Sequence, residues 1–214
     1  MSNIVLKNGV GEIVEKKSRF IAHIYKIENE EQAVSYINEI KKQYWDARHN
    51  CFAYVCGDNN KLQRFSDDGE PQGTAGKPLL DILIKGEITN CLVIVTRYFG
   101  GILLGTGGLV RAYQAAAREG IKESDIAELT EGVYIVMRPD YTMFGKIQYI
   151  CGELGINIVD IQYEDKVLVK MVMNKEVLGK FEKRVQDLYS GADAFEENKK
   201  QNYCLGKDGT VYLM

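Results

Sequence analysis

The sequence predicts an α+β protein built as two domains. Three observations carry this. Residues 1–125 read as strands, helix, strands, short helix, strand, loop and helix, a mixed order rather than a strict β-α repeat. Within them, "NCLVIVTRY" is a continuous apolar run of strand length, as expected of a buried central strand, and a glycine loop and an alanine-rich helix follow it. From residue 131 the order becomes βαββαβ, the ferredoxin-like pattern. The expected domains are therefore 1–125 and 131–205, joined across the change of pattern at 125–131.

Taken in order, "GEIVEKKSRFIAHIYKI" reads as two strands around a turn near Lys17. Alternation puts Phe20, Ala22 and Ile24 on one face and Ile21, His23 and Tyr25 on the other. "ENEEQAVSYINEIKKQY" is a helix, with acids in its first turn and lysines in its last, as the helix dipole prefers. Its expected apolar stripe is Val34, Ile37, Ile40 and Tyr44. "NCFAYVCG" and "KLQRFS" are strands separated by a turn at Asp58-Asn59-Asn60. "DDGEPQGTAGKP" is loop, and "PLLDILIKG" is a short helix with Pro78 near its start and Gly86 past its end. "LVRAYQAAAREGIKES" is a helix that buries Leu109, Tyr113, Ala116 and Ala117. In the second half, "EGVYIVMR" is a strand and "DYTMFGKIQYICGEL" a helix with Phe144, Ile147, Ile150, Cys151 and Leu154 in register. "INIVDIQYE" and "KVLVKMVM" form a hairpin across Glu164-Asp165, "KEVLGKFEKRVQDLY" is a helix, and "ADAFEENKKQNYCL" supplies a last strand.

Composition bounds the function. Of 214 residues, 45% are hydrophobic and 27% charged, enough for a packed core. The net charge of -3 argues against a protein that coats nucleic acid non-specifically. Residues 1–125 carry 16 basic and 16 acidic side chains, and residues 126–214 carry 11 and 14. Any polyanion site must be a local patch, and the first half suits it better. Five cysteines without a C-x-x-C pair, no signal-peptide pattern and no membrane-length apolar run point to a reducing, cytoplasmic setting. The cysteines read as small buried hydrophobes. No cofactor and no metal are expected, since no Cys/His spacing matches a closed zinc site.

The glycine loop holds Gly100, Gly101, Gly105, Gly107 and Gly108 between Arg97 and Arg111. It follows a strand and opens a helix, the context in which backbone N–H groups meet an anion. Thr106 can cap that helix, and the free N–H groups of Gly107, Gly108 and Leu109 would point at a ligand. No Walker motif occurs, and "GTGGLV" meets a valine where a dinucleotide fingerprint needs its last glycine. The competing reading is a glycine turn that only packs strand on helix. Asp67, Asp68 and Glu70 could hold Mg²⁺ or serve as acid and base, against a solvated turn on the other side. His49 and Cys51 could form a thiol couple, although no third orienting residue is identifiable. Tyr98 and Phe99 could stack on bases, or, with Tyr113, belong to the core.

"KSRFIAHIY", "DARHNCFAYVCG", "RFSDDGEPQGTAGKPLLDIL" and "VIVTRYFGGILLGTGGLVRAYQAA" together resemble the IMPACT family, specifically its bacterial YigZ-like branch. The resemblance runs from Lys17 to Ala117. It implies a first domain like the second domain of ribosomal protein S5, a fold also found in elongation factor G and in GHMP kinases. It implies a ferredoxin-like second domain similar to the last domain of elongation factor G. Eukaryotic members regulate translation through a separate preceding domain, so their partner is not carried over. The expected function is a non-enzymatic translation-linked regulator that binds RNA, the ribosome or a translation factor through the first domain. Arg97, Tyr98, Gly100, Gly101, Gly105, Thr106, Gly107, Gly108 and Arg111 would form the site, and Arg48, Arg64 and Lys77 would extend it. Asp67, Asp68 and Glu70 would order the neighbouring loop, in part by accepting bonds from the arginines. Neither a membrane nor a small-molecule substrate is expected. The alternative is an enzyme acting on a phosphorylated or nucleotide substrate, with phosphate in the glycine loop and those acids as metal ligands or base.

Overall fold

A computed structural model describes residues 2–57, 60–192 and 194–214. Asp58 and Asn59 of the expected turn lie outside the described residues. The chain divides into two compact units, residues 1–128 and 129–214. Both are mixed α+β.

The first unit contains β1 (Asn3–Lys7), β2 (Gly9–Glu15), β3 (Ser18–Lys26), α1 (Glu30–Gln43), β4 (His49–Cys56), β5 (Leu62–Ser66), α2 (Gly76–Lys85), β6 (Ile88–Thr89), β7 (Cys91–Tyr98), α3 (Gly105–Glu123) and β8 (Asp125–Glu128). Five strands form one sheet in the order β2-β3-β7-β4-β5, each antiparallel to its neighbour. Strand alternation divides its side chains between two cores. Phe20, Ala22, Ile24, Cys51, Ala53, Val93 and Val95 meet α2 and α3 on one face. Tyr54, Cys56, Leu92 and Ile94 meet α1 on the other. The apolar run expected as a central strand is β7, which lies in the middle of the sheet and is buried along most of its length.

Asn29 caps α1 by accepting from the Gln32 N–H at 2.9 Å. The stripe of α1 differs from expectation by one position. Ala33 is buried with Ile37 and Ile40, while Val34 is 46% exposed. Ala33 packs with Ile37 and Ile40 in the cluster of Tyr54, Leu92 and Ile94. A second, small sheet in the order β6-β1-β8 was not legible locally, because β1 pairs with partners about 85 and about 120 residues away. Its strand β8 carries the first unit past the expected end at residue 125.

The second unit contains β9 (Thr130–Met137), α4 (Tyr141–Leu154), β10 (Asn157–Tyr163), β11 (Val167–Asn174), α5 (Lys175–Leu188), β12 (Phe195–Leu205) and β13 (Val211–Leu213). Its sheet order is β10-β11-β9-β12-β13. Val133, Ile135, Met137, Val169 and Met171 pack against Phe144, Ile147, Ile150 and Phe181 of the two helices. The final strand β13 lies beyond the expected domain end at 205. No described helix is long and apolar enough to cross a membrane.

Candidate binding site at the loop end of the first unit

Antiparallel pairing gathers four connections at one end of the five-stranded sheet. The register sets Glu15 opposite Ser18, Arg19 opposite Tyr98, His49 opposite Arg97 and Phe52 opposite Ser66. The β2–β3 turn, the α1–β4 loop, the acidic β5–α2 loop and the glycine β7–α3 loop therefore share that end.

The acids of the β5–α2 loop are all engaged within the fold. The Asp67 carboxylate accepts the N–H groups of Gly73 at 2.8 Å, Ala75 at 3.0 Å and Gly76 at 2.8 Å. It thereby caps α2 from a distance, because the N-cap residue Ala75 has no side-chain acceptor. Asp68 accepts from the Asn50 N–H at 2.7 Å and from Lys41 Nζ at 2.8 Å. Glu70 is buried and accepts from Arg97 Nη1 at 2.6 Å and from the Tyr113 hydroxyl at 2.8 Å.

Arg97 is the main correction to the expected site. Its side chain is buried, ion-paired to Glu70, and flanked by the rings of Phe20 at 5.3 Å and Phe99 at 5.6 Å. It holds the acidic loop and does not face solvent. Its neighbour Tyr98 points to the opposite face, as consecutive strand residues must, and donates to Asp46 at 2.7 Å. Arg97 and Tyr98 therefore cannot contact one ligand group together.

The thiol couple does not form among the described bonds. His49 Nδ1 lies 2.9 Å from the Asp68 carbonyl, which fixes the proton on that nitrogen. The Cys51 thiol lies 3.0 Å from the Asp67 carbonyl and 3.3 Å from the Tyr113 hydroxyl. Burial pushes the Cys51 thiol well above its ordinary range. A thiol so held is a poor source of thiolate. Among the described residues no group of three or more His, Cys, Asp or Glu is placed to hold a metal ion.

The glycine loop is built by close approach. A Cβ at Gly100 would stand 2.0 Å from the Lys17 carbonyl carbon, so only glycine lets this loop sit on the β2–β3 turn. The Gly100 N–H donates to the buried Ser18 Oγ at 3.1 Å. Gly101 and Gly105 have left-handed backbones, with φ of 84° and 70°. Helix α3 starts at Gly105, two residues ahead of the expected free N–H groups. Its N-cap is Leu104, with no side-chain cap, so Thr106 is a first-turn residue and not the cap. By helix geometry the N–H groups without an intrahelical partner end at Gly107.

Around this loop the surface is basic and apolar together. Lys16, Lys17, Arg48 and Arg111 are exposed and form no ion pair among the described residues. Arg64 and Lys77 are engaged with Glu30 and Asp81. Leu103 is 82% exposed, and Phe99 and Ile102 are exposed beside it. This apolar tip was missed by sequence reading, in which Phe99 would suit the core. Tyr113, by contrast, is fully buried. Between β2 and α3 runs a groove of about 250 Å³ that includes Lys16 and Arg111 in its wall.

Comparison with known proteins places this geometry in a family. Residues 16–121 match the Impact N-terminal domain, and residues 138–192 match a domain of unknown function, DUF1949. The chain is 38% identical to the IMPACT family member YvyE of Bacillus subtilis over 195 residues, covering 91% of this chain and 90% of that protein. It is 33% identical to the IMPACT family member YigZ of Escherichia coli, covering 83% and 88%. A crystal structure of a hypothetical protein, 30% identical, superimposes with a TM-score of 0.56 over 94% of this chain and 97% of the other. The chain belongs to the IMPACT family.

Proposed function

We propose that this IMPACT-family protein is a non-enzymatic, translation-linked regulator that binds a protein of the translation apparatus through the loop end of its first unit. The link to translation rests on the family. The choice of binding over catalysis rests on one observation: Asp67, Asp68 and Glu70 are all bonded within the fold, while Leu103, Phe99, Ile102 and the free cations face outward. An enzyme built on those acids would need at least one carboxylate presented to a substrate. An exposed apolar tip rimmed by charge is a feature of protein-binding surfaces. The βαββαβ order and the β10-β11-β9-β12 arrangement support a ferredoxin-like reading of the second unit. The reading of the first unit as like the second domain of ribosomal protein S5 rests on the family resemblance.

A second reading, RNA as the ligand, draws on Lys16, Lys17, Arg48 and Arg111, which carry no internal partner among the described residues. On this reading Gly105, Thr106 and Gly107 offer first-turn N–H groups, and Gly100, Gly101 and Gly108 shape the approach. Arg97 has no part in it. Density-gradient sedimentation of tagged protein in cell lysate separates the readings. A protein partner predicts co-migration with ribosomal particles or a free translation factor that survives nuclease and is lost in Leu103→Asp. Association abolished by nuclease and unaffected by Leu103→Asp supports RNA instead. Turnover of a phosphorylated substrate by the purified protein would overturn both.

A further inference from the structure

The free edge of β2 has the features of a strand-addition site. Strand β2 ends the five-stranded sheet and, among the described residues, pairs only with β3. Its register runs unbroken from Gly9 to Glu15, without a bulge, and it contains no proline or lysine. These are the devices that normally blunt an edge. The other edge of this sheet, β5, is shorter, and β10 at the edge of the second unit carries a register shift.

The β2–β3 turn fixes which backbone groups face outward. Lys16 and Lys17 both have left-handed backbones, with φ of 45° and 65°, and Glu15 stands opposite Ser18. This is a two-residue type I′ hairpin, whose closing pair exchanges hydrogen bonds. Alternation then turns the N–H and C=O of Ile13 and Gly11 inward to β3, and those of Val10, Glu12 and Val14 outward. Among the described residues these outward groups have no partner. The side chains of Val10 and Val14 are 55% and 65% exposed on one face. Between them, the one charged side chain, Glu12, is held by the Arg19 guanidinium through bonds of 2.6 and 2.8 Å.

On the other face the edge opens into the groove against α3. At Gly11 a Cβ would stand 2.4 Å from the Gly120 N, so strand and helix touch there. Further along runs the groove, lined by Ile13, Leu104, Ala112 and Ala115 together with Lys16, Arg111 and Glu15. A strand added to β2 would place alternate side chains in this groove. The two cations outnumber the single acid, so the groove suits an anionic side chain beside an apolar one.

We propose that an extended segment of a partner protein adds to β2 here, pairing with Val10, Glu12 and Val14. It lays apolar side chains over Ile13 and Leu104 and an acidic one against Lys16 and Arg111. This rests on the reading that the first unit binds a protein, and it specifies how.

Random decapeptides displayed on phage, selected on the full chain, provide the probe. Enriched peptides should alternate apolar residues with an Asp or Glu. Val14→Pro, which removes an outward N–H, should weaken the best synthetic decapeptide at least about ten-fold. Ala115→Trp, which fills the groove at an exposed helix position and leaves the edge untouched, should do the same. Hydrogen exchange should slow at Val10, Glu12 and Val14 when peptide is bound. No enriched peptide, or binders indifferent to both variants, would overturn the proposal. A chain that self-associates through these amides would replace the peptide with a second copy. A twelve-nucleotide RNA that binds where no peptide does would also overturn it. If sedimentation with the translation apparatus persists in Val14→Pro, strand addition fails while the proposed function stands.

Discussion

Arg97→Ala tests whether the most prominent arginine of the glycine-loop motif is a ligand contact or a strut. In the structure its Nη1 lies 2.6 Å from Glu70 Oε1, and the two side chains are only 7% and 3% exposed. Removing the guanidinium leaves a buried carboxylate with one neutral donor, the Tyr113 hydroxyl. An uncompensated buried charge of this kind costs about 3–5 kcal/mol. Against a total stability of about 5–15 kcal/mol, that is a fifth to all of it. A surface phosphate contact would instead change stability by less than about 0.5 kcal/mol. Urea denaturation followed by far-ultraviolet circular dichroism measures the difference. A double-mutant cycle is built separately from Arg97→Met, Glu70→Leu and the variant that carries both. The double variant should recover much of the loss, since it leaves neither charge stranded. A loss below about 1 kcal/mol for Arg97→Ala would refute the strut.

Two further outcomes follow from buried groups. His23 packs against Tyr25 and Tyr44, its Nε2 without a partner among the described residues, and burial lowers its pKa. The unfolded chain then takes up a proton near pH 6.5 that the folded chain resists, so stability should fall as pH drops below about 6.5. The slope is at most about 1.4 kcal/mol per pH unit. His23→Phe should remove that component from denaturation midpoints measured between pH 7.5 and 5.5, and an unchanged slope would count against it. All five cysteines are buried, and burial pushes the Cys91 thiol up to about 12 and the Cys151 thiol up to about 11. A thiol-specific chromogenic reagent should therefore label the native chain far more slowly than the urea-unfolded chain, and rapid native labelling of Cys51 would contradict its hydrogen-bonded placement.

Much of the fold was legible because its signals are local. The turn at Lys16-Lys17, the acids and lysines of α1, the apolar run of β7 and the βαββαβ order each follow from periodicity or turn chemistry. The sheet β6-β1-β8 was not, since β1 has meaning only beside strands distant in sequence. Within the candidate site, several side chains are placed differently from their expectation. The acidic loop meets the end of the strand that leads into the glycine loop, through Glu70 and Arg97. Yet Cys91, Val93 and Val95 face α2 and α3, and the same alternation turns position 97 inward. Charge at position 97 drew attention to solvent when parity pointed to the core. Thr106 resembles a cap by type, but the helix already begins at Gly105, one residue before it. The apolar tip went unseen because exposure of Leu103 depends on where the turn at Lys17 holds Gly100.

A photo-crosslinking amino acid placed at position 103 in living cells interrogates the binding surface directly, with the same group at Tyr149 in the second unit as the comparison. Binding through the loop end predicts a crosslinked peptide from a ribosomal protein or translation factor, at position 103 and not at 149, unchanged by nuclease treatment of the lysate before purification. Crosslinks from position 103 that never include a component of the translation apparatus would contradict it.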